Sequence, residues 1–523
     1  MIKIFNATTG PSQAYNNPGL EMPMSPSPEG TPLLKDGVKG RPTWVSIALF
    51  LVLQILVFIA DETVMATLGV QFARSAFARQ RNFTLPVGGN GCATSNVSQE
   101  LNEIQSETAL FSTYQSFLTD LIPVLTGLPL VAASDFTGRR PILILRCLGP
   151  LIMALGFLVV SFFDLSVYYA LIGCAVFGIS GGFVLLHSVS MLYVTEIVSP
   201  KQRGVAITTI YGIQYTVVYV APLILNSLLG ALGSFTIVYL IVTCFALLAL
   251  LWMLPPNIIR ESVKKQPVHP VDLMKGITRS VRDLFVEATG GRRWRLIVIL
   301  ACYAVVSFNL HGFQNTVTLY GLGEPFCWTP TLVGVFAFIY GGPNAILAPI
   351  IVWFMELFVS DYWVIYLSIL CGIAEYLLTA VAETNAMLIY GASFAGIFFG
   401  ISQPVYIALL TRLVATKSHG ALFSVHTLVF ALTSASSLIV QSYVYSLAVR
   451  SGHAVVMFYV MMVLSGSVII PTIVVHVAEP KEGFHPDAAI AENDQSRDDA
   501  QTPGSKEDNF NLVESSADDK KLD

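Results

Sequence analysis

Charged side chains make up 12% of the 523 residues and hydrophobic ones 54%, roughly half the charge of a soluble domain, for which about 25% is usual. With a mean hydropathy of +0.66, the composition excludes an ordinary water-soluble fold. The net charge is −5, and no nucleic-acid partner is expected.

A helix crosses the bilayer with about 20 apolar residues, because it satisfies its own backbone polar groups in hydrocarbon. Runs of this kind fall near 44–66, 109–133, 142–162, 166–190, 205–230 and 234–254. After a polar stretch they resume near 295–316, 331–355, 362–382, 386–411, 420–447 and 454–477. The expected fold is an all-α membrane protein of 12 transmembrane helices in two six-helix halves, 44–254 and 295–477, joined by a cytosolic linker at 255–294. Lysine and arginine mark the cytosolic side of short loops. Arg139 and Arg140, Lys201 and Arg203, and Arg412 and Lys417 therefore predict cytosolic turns, and both termini are expected there too. The segment after Val477 carries a net charge of −8, so the acidity of the chain belongs to that tail. Residues 1–43 and 478–523 lack hydrophobic periodicity and are expected to be disordered.

In chain order, the N-terminal tail holds Glu29-Gly-Thr-Pro-Leu33-Leu34, an acidic dileucine pattern of the kind that endolysosomal sorting adaptors read. Asp61 and Glu62 lie toward the outer end of span 1 and point about 100 degrees apart, so at most one faces a central cavity. The segment 67–108 is expected outside as a long loop, with glycosylation sequons at Asn82 and Asn96. Asp120 precedes Pro123 near the middle of span 2 and is a candidate proton carrier, since charge within a span is costly and marks function by default. Tyr211, Gln214 and Tyr215 form a polar face on span 5, and Gln403 with Tyr406 another on span 10.

In span 7, His311, Gln314, Asn315 and Thr318 recur at helical spacing and make one polar stripe expected to meet the substrate and proton pathway. Histidine titrates near physiological pH, which suits proton coupling. His187, Glu375 and His426 complete the titratable groups within spans. Gly178-Ile-Ser-Gly-Gly182 matches the G-x-S-x-G nucleophile elbow, but that device needs a strand, a tight turn and a helix. No catalytic residues, Walker A loop, metal cluster or cofactor is expected, and the chain is not read as an enzyme.

The halves repeat. Gly178-x-x-x-Gly182 in span 4 and Gly396-x-x-x-Gly400 in span 10 are offset by 218, and Lys201-Gln-Arg-Gly204 and Lys417-Ser-His-Gly420 by 216. Two six-span halves related by an axis along the membrane normal describe the major facilitator architecture, with substrate bound near the midplane between them. The turn between spans 2 and 3 resembles the signature of that superfamily through Asp135, Gly138, Arg139 and Arg140, while Val131 and Phe136 depart from it. The resemblance implies a cytosolic gate at this turn.

Val317-Thr-Leu-Tyr-Gly-Leu-Gly-Glu-Pro-Phe-Cys-Trp328 and His419-Gly-Ala-Leu-Phe-Ser424 resemble segments of the proton-coupled folate transporter family. That resemblance implies a disulfide between Cys92 and Cys327, and symport of a folate-like organic anion or polar conjugate with protons. The coupling positions depart from the family pattern. Tyr211 stands for a glutamate, Ile407 for an arginine, Cys174 for an arginine, Leu310 for a histidine and Asn315 for an aspartate. An uncoupled facilitator or drug exporter, or a non-transporting sensor on a transporter scaffold, are the alternatives. The expected partners are a small-molecule substrate, protons, the bilayer and a sorting adaptor. The expected location is the plasma membrane or a lysosomal or endosomal membrane.

Overall fold

A computed structural model describes residues 43–60, 62–85, 98–197, 203–255, 292–356, 358–414 and 419–478. Glu29, Leu33, Leu34, Asp61, Cys92, Asn96 and most of the linker lie outside the described residues, as do the tails and the side chains of Glu62, Asp135, His187, Tyr211 and Tyr215.

The described residues are helical, with no strand among them. The N-terminal half runs α1 (Thr43–Ile59), α2 (Glu62–Gln80), α3 (Ser98–Ser116), a π-helical turn at Phe117–Leu121, α4 (Ile122–Thr137), α5 (Arg139–Phe162), α6 (Ala170–Ile179), α7 (Gly182–Ile197), α8 (Arg203–Leu232) and α9 (Phe235–Met253). The C-terminal half runs α10 (Arg292–Leu322), α11 (Pro330–Glu356), α12 (Asp361–Ala380), a π-helical turn at Met387–Gly391, α13 (Ala392–Phe399), α14 (Ser402–Leu413), α15 (His419–Arg450), α16 (Val456–Ser467) and α17 (Ile469–Val477). Eight of the described helical segments are long and apolar enough to cross a membrane, and three shorter apolar ones fall at the expected first, fifth and eighth spans.

The segment 67–108 is not the long loop expected from hydropathy. Helix α2 continues to Gln80 and α3 begins at Ser98. Their polar residues hide the helices from a hydropathy window, yet Gln71, Arg74, Gln105, Ser106 and Thr108 are all buried, and α2 packs on α3.

Each half has its own apolar core. Between the halves, the closest packing is α3 against α15 and α8 against α11, which pairs the second span with the eleventh and the fifth with the eighth. Exchanging the halves converts one pair into the other, as the sequence repeat requires. Toward one end of the first seam, Ser106 Oγ donates to Ser446 O (3.1 Å) and Ser446 Oγ to Ser106 O (3.0 Å). Arg450 Nε donates to Ser106 Oγ at 2.8 Å, and Gln105 donates to Leu319 O.

The turn between α4 and α5 is a single residue. Gly138 has φ +98°, so it ends one helix and starts the next in a conformation that suits glycine. Arg139 is buried and donates to Ser134 Oγ, and Arg140 donates to Leu254 O at the end of α9.

Candidate functional site

The site is built from two irregularities in neighbouring helices. In the fourth span, α6 stops at Ile179 and α7 starts at Gly182, with φ +91° at Gly181 and +46° at Gly182. A β-carbon at Gly182 would strike the Pro123 ring, and one at Gly178 would strike Leu118 O. The break therefore lets the second span press into the fourth. Thr126 Oγ1 donates to Gly178 O (2.8 Å), satisfying a carbonyl near the break. In the second span the π turn at Phe117–Leu121 carries Asp120. Such turns shift side chains out of the regular helical register, and they are frequent at functional sites.

These elements form one wall of a cavity of about 380 Å³ between the halves. Thr119, Asp120, Pro123 and Val124 come from the second span, and Phe183, Val184 and Ser188 from the fourth. Tyr303 of α10, Gln403, Pro404 and Ile407 of α14, and His426, Thr427, Phe430, Ala431, Ser434 and Ala435 of α15 form the other wall. Val124, Ala431 and Ala435 also pack in one apolar cluster, so the halves touch at the cavity edge. The volume falls within the roughly 300–1,000 Å³ of small-molecule sites.

Asp120 lies on the N-terminal wall and accepts a hydrogen bond from Thr119 Oγ1 at 3.1 Å. Opposite, the His426 ring packs on Tyr303 with centroids 4.6 Å apart, and its Nε2 has no hydrogen-bond partner among the described residues. The lining holds one carboxyl and one imidazole, and neither lysine nor arginine.

Of the pathway residues expected from the sequence, Asp120 and Gln403 line the cavity, together with His426, while His311, Gln314, Asn315, Gln214 and Tyr406 lie outside its lining. His311 sits one layer behind, its ring edge-on to Phe430 at 4.8 Å and its Nδ1–H donated to Ser307 O at 2.8 Å. Gln403 Nε2 donates to Ser307 Oγ (3.0 Å), so Ser307 links His311 to the lining. Asn315 bridges the seam between the halves, donating to Ser112 Oγ (3.2 Å) and Ser442 Oγ (2.9 Å). Gln314 is half-buried on the same helix.

Gln214 is spent inside the N-terminal half, donating to Gln54 Oε1 at 3.1 Å, while Gln54 donates to Ser190 Oγ at 2.9 Å. Tyr406 is buried with its hydroxyl 3.1 Å from Thr472 Oγ1. Ile407, at the position where the resemblance implies an arginine, faces the cavity and contributes no charge. Cys147, Cys174, Cys244, Cys302 and Cys371 are free thiols. Cys327 is buried and packs with Leu101, Phe83 and Leu85.

No protein-family model matches the chain. Among characterised proteins it is similar to the lysosomal proton-coupled steroid conjugate and bile acid symporter SLC46A3 of Gallus gallus, 24% identical over 66% of this chain and 75% of that protein. It is likewise similar to the proton-coupled folate transporter of Rattus norvegicus, 25% identical over 76% of this chain and 84% of that protein. Among solved structures, the human organic anion transporter MFSD10 (TETRAN) aligns with a TM-score of 0.51 at 16% identity, over 83% of this chain and all of that one. A POT family transporter in complex with 5-aminolevulinic acid aligns at 0.57 and 14% identity, over 86% and 98%. The relatives are transporters, not enzymes.

Proposed function

This chain is a membrane transporter of the major facilitator fold, related to the proton-coupled folate and steroid-conjugate symporters, and from that premise we propose that it carries an amphipathic organic anion together with protons. The observation behind this reading is the cavity between the halves, with Asp120 on one wall, His426 on the other and apolar surface from Val124, Phe183, Ile407 and Phe430 between them.

Electrostatics couples the two cargoes. A substrate anion beside an ionised Asp120 is repelled, and the repulsion is strong where water is excluded. On the acidic side Asp120 takes up a proton and the repulsion disappears. A protonated His426 would add attraction. When the cavity opens to the neutral side the proton leaves, and the returning carboxylate expels the anion. Size and lining favour a conjugate with a rigid apolar body and one anionic group. A folate brings two glutamyl carboxylates, and the lining offers no cation to receive them.

Several further features belong to the same proposal. Cys327 packs against Phe83 and Leu85, at the start of the segment that carries Cys92, which supports a Cys92–Cys327 bridge across the outer mouth. Asn82 is exposed beyond the end of α2, where an oligosaccharide could attach. Asp135, Gly138, Arg139 and Arg140 form the cytosolic gate, with Arg139 and Arg140 tied to Ser134 and to Leu254. Glu29, Leu33 and Leu34 direct the protein to endolysosomal membranes through a sorting adaptor, with both termini in the cytosol.

The test is uptake of a labelled steroid sulfate by cells expressing a Leu33→Ala, Leu34→Ala variant held at the surface. The expected result is uptake several-fold faster at an external pH of about 5.5 than at about 7.4, and a flat pH profile in Asp120→Asn, which mimics the protonated acid. Equal uptake at both pH values in the parent protein would indicate a facilitator. Uptake of folate without steroid sulfate would overturn the substrate assignment.

A further inference from the structure

The cavity that receives the anion has neither lysine nor arginine in its lining, yet a buried guanidinium short of hydrogen-bond partners lies elsewhere along the same seam. Arg74 of α2 is 5% exposed, and neither its Nε nor its Nη2 has a hydrogen-bond partner among the described residues. The other arginines at this end of the molecule are partnered. Arg79 pairs with Asp164 (2.7 Å), Arg81 with Glu103 (2.5 Å) and Glu107 (2.8 Å), and Arg450 donates to Ser106 Oγ. An uncompensated guanidinium in a protein interior is costly, and such a group is a functional candidate by default.

Its position gives it an occasion to act. One turn before it, Gln71 donates to Asn226 Oδ1 of α8 at 2.5 Å. From the other half, Tyr445 of α15 is the group near enough to interact with it electrostatically, and Tyr445 hydrogen-bonds to Gln105. Tyr445 immediately precedes Ser446, which closes the seam onto Ser106. Parting α3 from α15 therefore carries Tyr445 away from the guanidinium and opens the seam on that side. Gln105 and Asp120 lie on the same span, and at about 1.5 Å per residue the seam stands on the order of 20 Å outward from the cavity.

We propose that Arg74 is the anion-recognition residue of the outward-open state: it binds the sulfate or carboxylate of the incoming substrate at the outer mouth before the apolar body enters the cavity. A guanidinium suits this role because its fork of donors can engage two oxygens of such a group at once. The inference rests on the organic-anion reading above and adds where the charge is read.

The test measures uptake at acid pH of a steroid sulfate, with the uncharged parent steroid as competitor, in Arg74→Gln, Arg74→Lys and the control Arg79→Gln. Arg74→Gln is expected to raise KM for the sulfate at least tenfold and to abolish the preference for the sulfate over the neutral steroid. Arg74→Lys should keep the preference with KM raised a few-fold, and Arg79→Gln should behave as the parent. If Arg74→Gln fails to reach the surface, phenylglyoxal labelling of the parent protein decides. Arg74 should be labelled in transporting membranes and protected by the steroid sulfate.

An unchanged preference in Arg74→Gln, or labelling that the sulfate does not reduce, would overturn the proposal and leave the organic-anion reading standing. A parent protein that transports no organic anion would overturn both.

Discussion

At the scale of single residues, acid and base chemistry is divided between the halves, with Asp120 on one wall of the cavity and His426 on the other. A second carboxyl, Glu324, lies in the turn before Cys327, half-buried, with its Oε1 unpartnered among the described residues. Loss of water around it raises its pKa above the usual carboxylate range. A raised folded-state value means that its contribution to stability is fully present below the unfolded carboxylate pKa and is lost as pH rises through the folded one. Glu324→Gln removes that loss. The purified variant is expected to melt higher than the parent at a pH of about 7.4 and equally at about 4, and a lower melting temperature at neutral pH would contradict this.

Asp120 was legible in the sequence because an acid in an apolar run stands out. His426 stood among the titratable groups within spans, but a lone histidine has no periodic signature to show which way it faces, and it is the packing of α15 on Tyr303 that sets it at the cavity. The stripe on α10 is a genuine polar face, but His311 is screened by Phe430 and Asn315 points into the seam. Spacing locates a face of a helix. Which neighbour that face meets is a tertiary fact.

At the scale of elements, the site depends on helices that are not regular. The Gly178–Gly182 segment reads in the sequence as a small-residue packing motif, and part of that is correct, because Gly178 admits the Leu118 carbonyl. The helix break at Gly181 and Gly182 and the π turn at Asp120 left no comparable signal, since both are settled by how the second and fourth spans press together. Gly182→Ala places a β-carbon against Pro123 at a residue with positive φ. The expected cost is about 1–3 kcal/mol of stability or more, read as a lower melting temperature and a smaller surface fraction. A melting temperature unchanged from the parent would mean that the break does not hold the spans together.

Helices α2 and α3 show the limit of hydropathy from the other side. Their polar residues face one another and the seam rather than lipid, so a scale built for the bilayer passes over them. Arg412, one of the basic residues behind the expected orientation, lies mainly in solvent at the end of α14 while pairing with the buried Asp361 at 2.9 Å.

At the scale of the molecule, the repeat seen as offsets of 216 and 218 residues reappears in the two matching seams between the halves, α3 with α15 and α8 with α11. Rocking about these seams would expose the cavity to either side in turn. The seam at Ser106 and Ser446 is the direct place to stop that motion, because their hydroxyl oxygens are 2.9 Å apart. A Ser106→Cys, Ser446→Cys double variant is expected to form a disulfide on oxidation and to lose at least nine-tenths of its uptake, about a tenfold fall, with recovery on reduction. Either single variant should transport normally. Undiminished uptake by the oxidised, cross-linked protein would exclude opening at this seam.

Coupled movement of anion and proton through the cavity between the halves can be read with purified protein in liposomes enclosing a pH-sensitive dye. Adding a steroid sulfate outside, with no imposed pH gradient, should acidify the interior in step with substrate entry. Asp120→Asn should carry substrate without the acidification. Entry of the sulfate with no proton signal from the parent protein would exclude coupled transport.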